Sequence, residues 1–222
     1  MRKILLAMIV LGSSLVLAGQ TAARRGTLLF QSARADSVGE IPVPMRTEAS
    51  GTVVLDAVVT RAGNVAKVYV RRGIPALTHL AVNSVTGWKF SPATYGDNPI
   101  DSIVRVAVTF RPSGLLSSPD MLPGVEASPE SESDARFQPP EVTHAAFPNY
   151  PDNTVISGSV VLEINLSANG QAEKVKVLAD LPPLTAAAQA VVPQWRFSPA
   201  SFSGDPVPSR IILAFVFSPF VT

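Results

Sequence analysis

The sequence predicts an α+β protein made of two tandem copies of one small domain. Each copy is expected to be a β-β-α-β unit: a three-stranded antiparallel sheet, in the order 2-1-3, with a helix packed on one face. Three observations predict this. The chain aligns with itself without a gap at a constant offset of 107 positions, residues 51–112 over 158–219. Each copy opens with two period-two runs, changes to a helical period and then returns to alternation. The only two tryptophans stand in the same phrase, Trp88-Lys-Phe-Ser-Pro-Ala93 and Trp195-Arg-Phe-Ser-Pro-Ala200. Two copies at this spacing are tandem domains rather than a solenoid.

The chain begins Met1-Arg2-Lys3, followed by an apolar run from Ile4 to Ala18. A basic flank, a short apolar stretch and small residues at Val16-Leu17-Ala18 predict a secretory signal over residues 1–18 and a periplasmic address. The alternative is an inner-membrane anchor formed by residues 4–18, although that run is shorter than the roughly 20 residues that span a bilayer comfortably. Residues 19–42 are expected to be a flexible lead-in, with a short strand at Thr27-Leu-Leu-Phe30. There is no cysteine, so an exported chain of this kind must be held by packing alone.

The first repeat is bounded at 43–112. Val53, Leu55, Ala57 and Val59 alternate with Thr52, Val54, Asp56, Val58 and Thr60, a strand with one face in the core. Arg61-Ala-Gly63-Asn64 is a turn, with Gly63 suited to positive φ. Val65–Arg71 alternates again and completes a hairpin. Leu77, Leu80, Ala81, Val85 and Trp88 are spaced along one helix face, with Pro75 where a first-turn proline is tolerated. Ser-Pro-Ala then stops the helix, because the residue before a proline leaves the α region. Trp88, Phe90 and Phe110, with Trp195, Phe197 and Phe217, are the expected structural core. Burying one tryptophan offers about 4–6 kcal/mol of gross stabilisation, which a domain this small needs.

The second repeat is bounded at 147–222 and follows the same order, with a turn at Ala168-Asn-Gly170. Pro193 removes a helical N–H, so its helix should end or distort near Val192. The acidic connector between the copies, residues 113–146, is rich in Pro and Ser and predicts a mobile tether.

The last strand of each copy would be a sheet edge. In the first, Val104, Val106 and Val108 face in while Arg105, Ala107 and Thr109 face out. In the second, Ile211, Leu213 and Phe215 face in, but the outward Ile212, Ala214 and Val216 are also apolar. That is the most informative difference between the copies.

A Gly-x-Val first strand, a glycine turn, a helix ending Trp-[Lys/Arg]-Phe-x-Pro-Ala, then Pro99 or Pro206 and a final strand ending in Phe110 or Phe217 resemble the TonB C-terminal domain family. Tyr150-Pro151 resembles its opening, and Val43-Pro44 does so less closely. The resemblance implies a periplasmic module that captures an extended peptide of an outer-membrane transporter by adding it to a sheet edge. Carried onto this chain, the docking edges are Val104–Phe110 and Ile211–Phe217. The chain departs from the family's energy transducers in its short apolar run, the absence of a long Pro-rich spacer before the first copy, and Thr78 and Thr185 where many relatives carry Asp. Two alternatives stand beside peptide capture. One is an anchored transducer. The other is a self-associating envelope protein in which Ile212, Ala214 and Val216 pair the two copies, or two chains as a homodimer, edge to edge.

Other chemistry finds little support. His79 and His144 are the only histidines and are not spaced with a nucleophile or metal ligands, so no enzyme, metal or cofactor is expected. No clustered basic face suggests nucleic acid. Asp56 and Glu163, at equivalent outward positions, and the Arg71-Arg72 doublet read as solvated surface.

Overall fold

The computed structural model describes residues 29–44, 49–112, 136–151, 154 and 156–218. The expected signal, and most of the acidic connector, lie outside the described residues. The first copy contains β1 (Phe30–Gln31), β2 (Arg34–Ser37), β3 (Gly51–Val59), β4 (Val65–Arg72), α1 (Thr78–Thr86), β5 (Lys89–Ser91), β6 (Ala93–Tyr95), β7 (Asn98–Ile100) and β8 (Ser102–Pro112). The second contains β9 (Phe137–Gln138), β10 (Val142–His144), β11 (Gly158–Leu166), β12 (Ala172–Ala179), α2 (Leu184–Val191), β13 (Arg196–Phe197), β14 (Ala200–Phe202), β15 (Asp205–Val207) and β16 (Ser209–Ser218). The chain is α+β, and the four-element expectation omitted the short strands. The repeat also begins earlier than the sequence bounds, since Phe30-Gln31 stands over Phe137-Gln138 at the same 107-position offset.

The expectation of two separate three-stranded sheets is corrected. One six-stranded sheet runs through both copies in the order β12-β11-β16-β8-β3-β4. Within each copy the long strands are antiparallel, and β8 and β16 meet in parallel at the centre, from Arg105↔Ile211 to Pro112↔Ser218. The physical reason lies in the outward residues of the last strands. A strand apolar on both faces is stable only when both faces are covered. Ile212, Ala214 and Val216 join the core built on α1, while Leu213 and Phe215 join the core built on α2. Residues alternate across a strand, so the two cores lie on opposite faces of the shared sheet.

The lead-in is likewise corrected over its described part, which is packed rather than loose. Ala35 and Ile41 are fully buried, β1 pairs with β6, and β2 pairs with β5. It crosses the partner copy: the Ile41 N–H donates to Ser159 Oγ at 3.0 Å, and Arg210 donates to the Ser32 carbonyl at 2.6 Å. Residues 136–146, expected in the tether, do the same in reverse. Val142 and Ala145 pack in the core that also holds Val54 and Ala107 of the first copy. Phe30 and Phe137, equivalent residues, stack on each other at 4.7 Å, and Phe30 stacks on Phe202 at 4.9 Å.

The tryptophan phrase is a docking point for the hairpin turn. After α1, Trp88 is buried and the Phe90 N–H donates to the Gly63 carbonyl at 2.9 Å. A Cβ on Gly63, whose φ is +79°, would lie 1.9 Å from the Phe90 carbonyl oxygen, so only glycine fits. In the second copy α2 ends at Val191 and a 3-10 turn, Val192–Gln194, accommodates Pro193. Trp195 is buried and donates from Nε1 to the Ala146 carbonyl at 3.1 Å, and Phe197 packs beside it. The hydroxyls of Thr78 and Thr185 accept the N–H of Ile74 and Leu181 at 2.8 Å, which closes the turn before each helix.

This interlocking makes a prediction. Residues 29–112 and 136–218 produced as separate chains are expected to lack a cooperative fold alone and to recover one on mixing. Circular dichroism and amide exchange of each half and of the mixture check it. A monomeric, cooperatively folded 29–112 would show that the copies are independent.

Candidate partner-binding edges

The sequence placed the binding edges on Val104, Arg105, Val106, Ala107, Val108 and Thr109, and on Ile211, Ile212, Leu213, Ala214, Phe215 and Val216. These residues sit on the two central strands of the sheet. β8 pairs with β3 on one side and β16 on the other; β16 pairs with β11 and β8. Their side chains are buried as well, with Arg105 exposed by only 5%. A backbone with both edges paired has no donors or acceptors left for a foreign strand, so these residues are not docking edges. The edge-to-edge pairing expected of Ile212, Ala214 and Val216 joins the two copies within one chain, which leaves no third-strand edge for a homodimer.

The junction also buries charge that the sequence reading left in water. Asp56 is 1% exposed and Glu163 is 3% exposed. The Arg105 guanidinium grips Asp56 with two bonds of 2.6 and 3.0 Å, and Arg71 Nε approaches the same carboxylate at 3.6 Å. Two-point pairing of this kind is among the strong charge-assisted contacts. Glu141, from the second copy, lies 3.9 Å from Arg105 but is mostly exposed and adds little. At the equivalent place in the second copy there is no arginine, because position 212 is isoleucine; Glu163 instead accepts the Ala35 N–H at 2.8 Å. Thr52 and Thr109 satisfy each other across β3 and β8 at 2.9 Å. Arg111 is 6% exposed beside the Phe147 ring, and burial pulls its guanidinium below the ordinary arginine range. Tyr150 packs edge-on against Phe217, donates to the Ile156 carbonyl, and has its phenol pushed upward by burial. The Asp56–Arg105 pair and Glu163 are thus packed into the junction between the copies, with Glu141 at its exposed margin.

Unpaired backbone in the large sheet is found on its two outer strands, β4 and β12. Both carry two register shifts, which leave Lys67–Val70 and Lys174–Val177 as the regularly paired stretches. On β4, Val68 and Val70 lean on the first core while Lys67 covers the Tyr69 ring at 4.4 Å. On β12, Val175 and Val177 lean on the second core, and Lys174 and Lys176 stand on the other face. The sequence signal for this assignment was present. Second strands with one apolar and one polar face mark sheet edges, whereas the two-sided apolar third strand marks a centre.

Among the described residues, no group of His, Asp and Glu is arranged to hold a metal ion, and no helix is long and apolar enough to cross a membrane. His79 is exposed on α1, and His144 lies in β10 opposite Arg196. The model of the Gram-negative bacterial TonB protein C-terminal family matches residues 44–112 and 143–219, one match per copy. No curated protein and no solved structure matches the chain significantly.

Proposed function

Because the chain belongs to the Gram-negative bacterial TonB protein C-terminal family, we propose that it is a periplasmic protein-binding module. It holds an extended segment of an outer-membrane partner by strand addition at the outer edges β4 and β12. The family is one of protein-interaction domains of the envelope in TonB-type systems, which supports a protein partner there. The single observation that carries the placement is the sheet order, which spends both third strands on joining the copies and leaves β4 and β12 outermost. Strand addition draws affinity from backbone hydrogen bonds and selectivity from alternate side chains, and both are on offer at an outer edge.

A second reading has its own support. The register shifts and the lysines on β4 and β12 are devices by which sheets discourage unwanted pairing. Under that reading the fused copies are a structural body that binds through other surfaces.

Amide-resolved NMR on the full chain, titrated with N-terminal peptides of outer-membrane transporters, separates the two. Strand addition predicts shift changes and slowed exchange at 65–72 or 172–179, with 104–110 and 211–217 unchanged. Peptides that bind without disturbing either outer strand would overturn it.

A further inference from the structure

We propose that the two outer edges are not equivalent, and that β4 is the one that selects, taking acidic extended segments. The proposal rests on strand addition at the outer edges and adds the chemistry of the occupant. β4 carries Lys67, Arg71 and Arg72 with no acidic residue. Its counterpart β12 carries Lys174 and Lys176 but also Glu173, and Asp180 follows directly. Net charge is thus +3 on one edge and +1 on the other over equivalent spans.

The placement of these charges sets a pattern. Lys67, Tyr69 and Arg71 alternate along the strand, with Val68 and Val70 turned to the first core. A strand laid antiparallel on β4 would set two of its residues, four apart, opposite Lys67 and the Arg71-Arg72 doublet. The residue between them would meet the Tyr69 ring. Carboxylates at the two ends and apolar or β-branched residues between them complete both faces, since directly opposed charges of unlike sign stabilise a strand pair and like charges oppose it. Arg71 already approaches Asp56 at 3.6 Å, but Asp56 is held by two bonds from Arg105, so a second carboxylate at Arg71 breaks no buried pair.

The test uses the full chain and a capped Val/Thr peptide of about nine residues with glutamates four apart. Controls replace both glutamates with lysine or with glutamine. The glutamate peptide is expected to bind roughly tenfold more tightly than the lysine peptide, to perturb amides at 65–72 rather than 172–179, and to weaken in high salt. Lys67→Glu with Arg72→Glu should reverse the preference; Lys174→Glu with Lys176→Glu should leave it. Equal binding of all three peptides, or perturbation centred on β12, overturns the acidic selectivity while leaving strand addition standing. Binding of none of them at either outer strand overturns both.

Discussion

Ala214→Asp is expected to destabilise the whole fold rather than to weaken partner binding alone. Ala214 is fully buried in the middle of β16, between Val161 on one neighbouring strand and Val108 on the other. An isolated carboxylate there loses its water and finds no basic partner in an apolar core. Substitutions that bury an unpaired charge belong to the small class costing more than about 4–5 kcal/mol. For a chain of this size that corresponds to a fall in Tm of about 10–20 °C. Thermal unfolding followed by circular dichroism checks it. The opposite outcome, an unchanged Tm with lost binding of a partner peptide, is what an open third-strand edge would give, and it would contradict the central β8–β16 pairing.

Asp56→Ala should destabilise the fold by about 3–5 kcal/mol, because it strands the Arg105 guanidinium at 5% exposure. Arg71, with 28% of its side chain exposed, can turn to solvent; Arg105 cannot. The double substitution Asp56→Leu with Arg105→Leu should recover most of the loss, since a buried ion pair replaced by packed apolar groups is often neutral. Urea denaturation of the single and double variants gives the comparison. A loss below about 1 kcal/mol for Asp56→Ala would mean that the pair behaves as a surface ion pair. Glu163→Ala leaves a buried backbone N–H of Ala35 without its acceptor, a smaller cost in the range of one lost hydrogen bond, about 1–3 kcal/mol.

Much of each copy was legible because local patterns decide it. The alternation of Val53, Leu55, Ala57 and Val59 places β3 and its core face, and the glycine turn places the hairpin. Pro193 shortens α2 as its missing N–H requires. The short strands were less legible. β1 and β9 are two residues long, below the length at which a period of two can be seen, and they exist because Phe30 and Phe137 are held by tertiary stacking. Asp56 and Glu163 looked solvated because a charged residue on an outward strand position usually is. Glu163 is held by a segment more than a hundred residues away in the chain, through the Ala35–Glu163 bond, and Asp56 by Arg105, 49 residues away.

The binding-edge assignment failed for the same reason. A strand at the end of a β-β-α-β unit is an edge if the unit stands alone. Whether it stands alone is not encoded within the unit. The two-sided apolar run at Ile212, Ala214 and Val216 pointed to a covered strand, yet it did not say which surface covers it.

The sequence by itself determined the duplication, the elements of each copy and the family to which they belong, because short-range periodicity, turn chemistry and the repeated tryptophan phrase act within about ten residues. The tertiary structure decided that the two copies share one sheet, that each lead segment covers the other copy, and that the outer strands rather than the third strands are left open. Those outcomes depend on which apolar faces and backbone edges find each other across the whole chain, and no local pattern specifies the partner.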